Sequence, residues 1–284
     1  MKRENIDIPH VVRFVGENPG PSLAILGGIH GNEPCGVRAL EKLEAFLVSG
    51  ELKVKSGSLT LIRGNIEALQ VNKRFITQNL NRLFKKNNGL GPCYELLRAE
   101  QLKPLLRAAD YILDIHSTSQ PSPPFILCEE PDTEFARSLN IRWIVLGWAA
   151  LDPSLDGDTC TWAARHGRKA VTLECGQHED PSASGVAIAA AMRVLSCLGM
   201  IESPHRHFDG AAPTVLQLYH AHILRDGGFV YSRKYQGFDV VHAGECIGTD
   251  ASGAYSAPQA GHIVLPADPG DIPLNSELYL LAHA

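Results

Sequence analysis

The segment Gly27-Gly28-Ile29-His30-Gly31-Asn32-Glu33-Pro34 sets an imidazole and a carboxylate three residues apart. One tight turn or first helical turn can then present both groups to the same metal ion. Glycines at 27, 28 and 31 permit backbone conformations that a Cβ would block and leave room for a ligand. A catalytic zinc usually takes three protein groups and keeps one position open, so a third donor is needed. His116, in Asp114-Ile115-His116-Ser117-Thr118, can supply it, because in a strand Asp114 and His116 share a face and Asp114 can orient a ligating imidazole. The spacing alone is weak: His242-Ala243-Gly244-Glu245 repeats it, and there a glycine-containing turn is explanation enough. A lone His116 could equally end a strand by bonding a backbone carbonyl. What sets His30 and Glu33 apart is their place directly beyond an apolar, strand-like run.

Two further groups complete a possible reaction centre. Glu174 follows the apolar run 170–173. A carboxylate at a strand end can take a proton from an activated water and pass it to a leaving nitrogen. Between the ligands lies a loop carrying Arg74, Asn81 and Arg82. Arg82 beside Asn81 offers planar donors that match a carboxylate, and Arg74 can polarise a carbonyl and stabilise its oxyanion. Taken singly, Glu174 reads as a surface glutamate paired with a cation, and the loop as a solvated basic stretch.

These residues need elements to hold them. Apolar runs at 23–26, 59–62, 111–115, 125–127, 143–146 and 170–173 have strand length and end in glycine, polar or charged residues. Helical spacing of apolar residues fills 35–48, 94–109, 133–139, 159–166 and 184–198. The alternation predicts an α/β sheet with helices on both faces, with the site beyond the carboxyl ends of its strands. Past Ser203-Pro204, short strand candidates at 215–224, 228–232, 240–247, 262–265 and 278–281 are separated by glycine and proline turns. The expected division is therefore a catalytic α/β domain over 1–203 and a small all-β domain over 204–284.

A chain of 284 residues with 44% hydrophobic and 20% charged residues is long enough for a sizeable core and is not disordered or fibrous. Its net charge of −5 argues against a nucleic-acid binder with a basic face, and no apolar stretch is long enough to span a membrane. Residues 1–12 contain no apolar region of a secretory signal, and the seven cysteines form no CxxC pair, so a cytoplasmic protein with reduced thiols is expected. Twelve histidines are present, of which His30 and His116 are the two with ligand context.

Gly-Gly-Ile-His-Gly-Asn-Glu (27–33), Gly-Asn-Ile-Glu-Ala (64–68), Asn-Leu-Asn-Arg-Leu-Phe (79–84), Asp-Ile-His-Ser-Thr (114–118) and Leu-Glu-Cys-Gly-Gln (173–177) occur in this order over about 150 residues. Together they resemble the succinylglutamate desuccinylase and aspartoacylase family, relatives of the zinc carboxypeptidases. The resemblance implies a carboxypeptidase-like mixed sheet followed by a β domain that shapes the substrate cavity. It also implies one zinc ion per chain on His30, Glu33 and His116, with Glu174 activating water, Arg74 polarising the carbonyl, and Asn81 and Arg82 gripping the amino-acid carboxylate. Asn79 stands where the family commonly has aspartate, a change expected to remove a possible ion-pair anchor for the loop but no direct contact with the metal. A further arginine that reads a side-chain carboxylate finds Arg165 and Arg168 nearby, neither in register. Arg168 is taken as the substrate-binding candidate. Tyr279 corresponds to a tyrosine that reaches the site.

The expected activity is zinc-dependent hydrolysis of the amide bond of a small N-acyl amino acid, such as an N-acetyl or N-succinyl amino acid, with self-association left open. A metallocarboxypeptidase acting on peptides would use the same residues. A non-catalytic binding protein is the less favoured alternative, and its carrier form is discounted because Lys234, the sole lysine after Ser203, lacks the small or Met neighbours of a carrier hairpin.

Overall fold

The apolar runs that frame the chemistry become neighbouring strands. In a computed structural model, which describes residues 1–86, 89–202 and 212–284, the first half of the chain supplies β1 (Lys2–Asn5), β2 (Val11–Val15), β3 (Asn18–Gly27), β4 (Ser56–Arg63) and β5 (Tyr111–Thr118). β6 (Phe125–Cys128), β7 (Trp143–Leu146) and β8 (Lys169–Gln177) follow, then β9 (Thr214–Ile223). The helices between them are α1 (Pro34–Ser49), α2 (Ile66–Gln70), α3 (Tyr94–Ala108), α4 (Thr133–Arg137), α5 (Thr159–Arg165) and α6 (Ala183–Cys197).

β4, β3, β5 and β8 lie side by side and parallel. The chain leaves β3 for one side and returns to the other, so a topological switch point opens beside β3, where open α/β sheets form their sites. Strand alternation divides the core. Leu23, Ile25, Leu113, Ile115, Val171 and Leu173 pack with α1 and α6, whereas Ala24, Leu26, Ile112 and Ala170 pack with α3 and α5. Each strand is thus apolar on both faces, which is why these runs are continuous in sequence.

The last part of the chain adds β10 (Val230–Tyr231), β11 (Val240–Val241), β12 (Cys246–Asp250), β13 (Gly253–Ser256), β14 (Gly261–Val264) and β15 (Glu277–His283). These strands make up the expected small β region, and part of it is continuous with the main sheet. β9 pairs parallel with β7, and β15, β14 and β11 continue outward, making one twelve-stranded sheet. Among the described residues, β10, β12 and β13 form a second, three-stranded sheet. Phe238 fastens the regions together, with ring centroids 5.1 Å from Phe125 and 4.8 Å from Trp143. The expected boundary at Ser203-Pro204 lies outside the described residues. No helix among the described residues is long and apolar enough to cross a membrane.

Candidate metal centre and active-site cavity

The turn after β3 is shaped by close backbone approach. A Cβ on Gly27 would fall 2.5 Å from the Gly36 carbonyl carbon, so only glycine lets the start of α1 lie against the strand end. Pro34 occupies the first helical turn, and Glu33 stands at the N-cap, where the helix dipole favours a carboxylate. Glu33 Oε1 is 2.8 Å from His30 Nδ1, and Glu33 Oε2 is 2.9 Å from His116 Nδ1. The donor atoms of the three residues lie within 4.8 Å of one another, and all three side chains are buried.

The far side of each ring is also held. His30 Nε2 is 3.0 Å from Asn79 Oδ1, and His116 Nε2 is 3.1 Å from Asp114 Oδ2, which also accepts from Thr159 Oγ1. Both rings therefore aim Nδ1 at one carboxylate; Nε2 of His30 faces the Asn79 amide oxygen, and Nε2 of His116 lies beside the Asp114 carboxylate without an aligned hydrogen bond, outer oxygens of the kind that orient ligating histidines. Two nitrogens and a carboxylate fit a zinc-type donor set, and His30, Glu33 and His116 could hold a metal ion. Asn79 meets His30 at Nε2, the nitrogen turned away from Glu33, so the Asp-to-Asn departure falls on an outer contact of the ring and not on a metal-facing donor.

The electrostatics favour a cation there. Burial would raise the pKa of Glu33, but His30 and His116 pull it well below the usual carboxylate range. Burial and the charge of Arg74 lower His30 to about 4. Burial also opposes charge on His116, yet Asp114 and Glu33 on either side raise it well above the ordinary histidine value.

Glu174 stands directly across from His116 in the parallel register of β5 and β8. Its Oε2 is buried and has no hydrogen-bond partner among the described residues. Burial, reinforced by the charge of Glu33, pushes its pKa up to about 8, the environment of a proton-transferring carboxyl. A cavity of about 860 Å³ contains His30, Glu33, His116, Glu174, Arg74, Asn81 and Arg82 together. Arg74 Nη1 donates to Glu33 Oε1 at 3.1 Å, and Arg82 lies over the Trp148 ring at 5.3 Å. Asn81 Oδ1 accepts from Thr159 N, tying the loop to α5.

Residues 19–198 match the family model of the Succinylglutamate desuccinylase/Aspartoacylase catalytic domain. The chain belongs to this family. Among curated relatives, the succinylglutamate desuccinylase of Pseudomonas paraeruginosa is 42% identical over 86 residues, 30% of this chain and 26% of that protein. A probable aspartoacylase of a Nostoc species is 37% identical over 107 residues, 34% of this chain and 35% of that protein. The matched segments span only about a quarter to a third of those relatives. The fold extends further. The Vibrio cholerae succinylglutamate desuccinylase structure superposes with a TM-score of 0.77 at 23% identity, covering 96% of this chain and 85% of that one. The product-bound ectoine utilization protein of Ruegeria pomeroyi gives 0.74 at 20% identity, covering 96% and 88%.

Two residues carried over from the family resemblance lie away from the cavity. Arg168 sits just before the amino end of β8, 3.8 Å from Asp110 Oδ1, with Nε donating to the His166 carbonyl. Six residues of strand, roughly 20 Å, separate it from Glu174, so the structure does not place it at the substrate. Arg165 pairs with Asp156 at 2.6 Å on α5 and is not a cavity residue either. Tyr279 is buried in the C-terminal core, stacked on His222 at 5.0 Å. Its neighbour Glu277, which the sequence reading passed over, does line the cavity. The pairing of β15 with β9 slips between Glu277 and Tyr279, and this bulge lets two residues two apart serve different surroundings. Glu277 accepts from Arg82 Nη2 at 2.8 Å and lies 3.9 Å from Arg74 Nη2. His178, also at the cavity, has Nδ1 2.9 Å from Ser117 Oγ. No short motif marks Glu277; only its neighbourhood with Tyr279 near the chain end could have drawn attention to it.

Proposed function

We propose that this protein is a zinc-dependent amidohydrolase that removes a small acyl group from an N-acyl amino acid. The observation that carries the reading is the buried Glu174 carboxyl, whose Oε2 has no hydrogen-bond partner among the described residues, beside a three-donor set, with Arg74 in the same cavity. His30, Glu33 and His116 would hold the zinc, which supplies Lewis-acid charge and acidifies water when bound.

Glu174 takes a proton from the attacking water as its oxygen bonds to the acyl carbon. Arg74 donates to the carbonyl oxygen, where negative charge builds. Glu174 then returns the proton to the amide nitrogen, the C–N bond breaks, and a carboxylate and a free amine leave. Arg82 and Asn81 hold the amino-acid carboxylate, with Glu277 bracing the Arg82 guanidinium.

A small substrate is favoured over a peptide because the C-terminal strands and turns wall the cavity. Leu265, Pro266, Ala267, Ile272 and Glu277 all contribute to its lining. We assign those residues the role of shaping the cavity. A cytoplasmic setting belongs to the same proposal, since none of the seven cysteines is in a disulfide. The test is a panel of N-acetyl and N-succinyl amino acids, read as free amine before and after chelation and zinc restoration. Zinc-dependent release supports the reading. Release that is indifferent to chelation, or cleavage of C-terminal peptide residues in its place, overturns it.

A further inference from the structure

The cavity does not end at the metal-ligand triad. β6 runs antiparallel to β8, with Phe125 opposite Glu174 and Leu127 opposite Thr172. The lining follows both strands away from Glu174 to Ala170, four residues and about 13 Å, and reaches Glu129, Asp132 and Asp158. We propose that these three carboxylates form a subsite for a positively charged group on the substrate side chain, so that N-acyl derivatives of basic amino acids are the preferred substrates. This rests on the deacylase reading.

Each carboxylate has one oxygen engaged by a backbone amide. Glu129 Oε1 accepts from Ala149 N, Asp132 Oδ2 from Ala170 N, and Asp158 Oδ1 from Thr161 N. Among the described residues no cation forms an ion pair with any of them. Asp158 is nine-tenths buried, and its Oδ2 has no hydrogen-bond partner among the described residues. A buried carboxylate oxygen without a partner is costly and calls for a donor. Burial raises the pKa of all three carboxyls; Asp158 and Asp132 raise Glu129 further, while Arg82 partly offsets the rise at Asp158 and Lys169 that at Asp132, so Glu129 is the carboxylate an incoming cation would relieve most.

The cluster does not suit a bare metal ion. Among the described residues, His30, Glu33 and His116 are the only three whose donor atoms come close enough for one ion. Carboxylates spread more widely suit an ammonium or guanidinium, whose several N–H donors can reach more than one acceptor. An acidic side chain would meet repulsion, and Arg165 and Arg168, the candidates for pairing with one, lie outside the cavity.

The experiment compares kcat/KM of the zinc-loaded protein for Nα-acetyl-L-lysine, Nα-acetyl-L-norleucine and N-acetyl-L-glutamate. The expected order is lysine first by about tenfold over norleucine, with glutamate last. Glu129→Gln should shrink the lysine-to-norleucine ratio by severalfold. Asp158→Asn should do the same, and because Asp158 caps α5, Glu129→Gln decides the matter if that variant misfolds. A norleucine or glutamate rate equal to the lysine rate overturns the subsite, as does an unchanged ratio in Glu129→Gln. Calorimetric titration with free L-lysine against L-norleucine reads the subsite without turnover. If no acyl amino acid is cleaved the deacylase reading fails, whereas tighter lysine binding still supports the subsite and equal binding overturns it.

Discussion

Glu277 on the final strand accepts a hydrogen bond from Arg82 Nη2 at 2.8 Å, across 195 residues of sequence. The contact ties the C-terminal part of the sheet to the loop that carries the carboxylate-binding candidates. Both side chains are largely buried, 15% and 16% exposed. Glu277 therefore sets where the Arg82 guanidinium points, and its loss should be felt in stability and in substrate affinity.

Glu277→Gln should destabilise the protein by about 1–3 kcal/mol at neutral pH and raise KM more than it lowers kcat. Burial opposes the Glu277 charge, but Arg82 and Arg74 overcome it and hold the folded pKa below the ordinary value. A carboxyl depressed in the folded state contributes stability above its unfolded pKa, near 4.3, and loses it as pH falls through the folded value. The stability difference between wild type and Glu277→Gln, measured by urea titration, should thus be full at pH 7 and shrink below about pH 4. A difference independent of pH would remove the ion-pair explanation.

Glu174→Gln should retain zinc and lose activity by about 10²–10⁴-fold, the range for a removed proton-transfer group. The same change deletes a charge from a buried position, so chelator-treated Glu174→Gln should melt at a higher temperature than chelator-treated wild type at pH 8 or above. Substantial residual turnover would sink the assigned role.

Asp114→Asn and Asn79→Ala each remove an outer partner of a ligating ring, and each should weaken zinc binding by about 10–100-fold in a competition titration. Asn79→Asp should act in the opposite direction, because a carboxylate makes the stronger, charge-assisted bond to His30 Nε2. Equal zinc affinity in all three variants would show that the contacts do not tune the metal centre.

Arg168→Ala should change kcat/KM by less than about twofold, since its long contact with Asp110 is of the kind that contributes little at a solvated surface. A large rise in KM would return Arg168 to the substrate site.

The residues of the candidate metal centre were legible in the sequence because each is bound to a local signal. His30 and Glu33 follow a buried strand through a glycine turn, Asp114 and His116 share a strand face, and Glu174 ends an apolar run. Short-range geometry, strand alternation and helix starts determine such positions before any distant part of the chain is placed. The same locality misled at Arg168: six residues is near in sequence, but an extended strand carries them to opposite ends of the sheet.

The α/β alternation and most of the strands were likewise written in runs of apolar residues, since strands covered on both faces must be apolar throughout. That β9 would pair with β7 and extend the sheet was not, because an edge pairing depends on backbone groups that every sequence shares. The Glu277–Arg82 pair, the approach of Asn79 to His30 and the gathering of Glu129, Asp132 and Asp158 beside one cavity belong to the same class. Local sequence pattern picks out the residues proposed for the chemistry. The tertiary structure decided which charges stand next to them, because a contact between residues far apart in the chain leaves no periodicity to read.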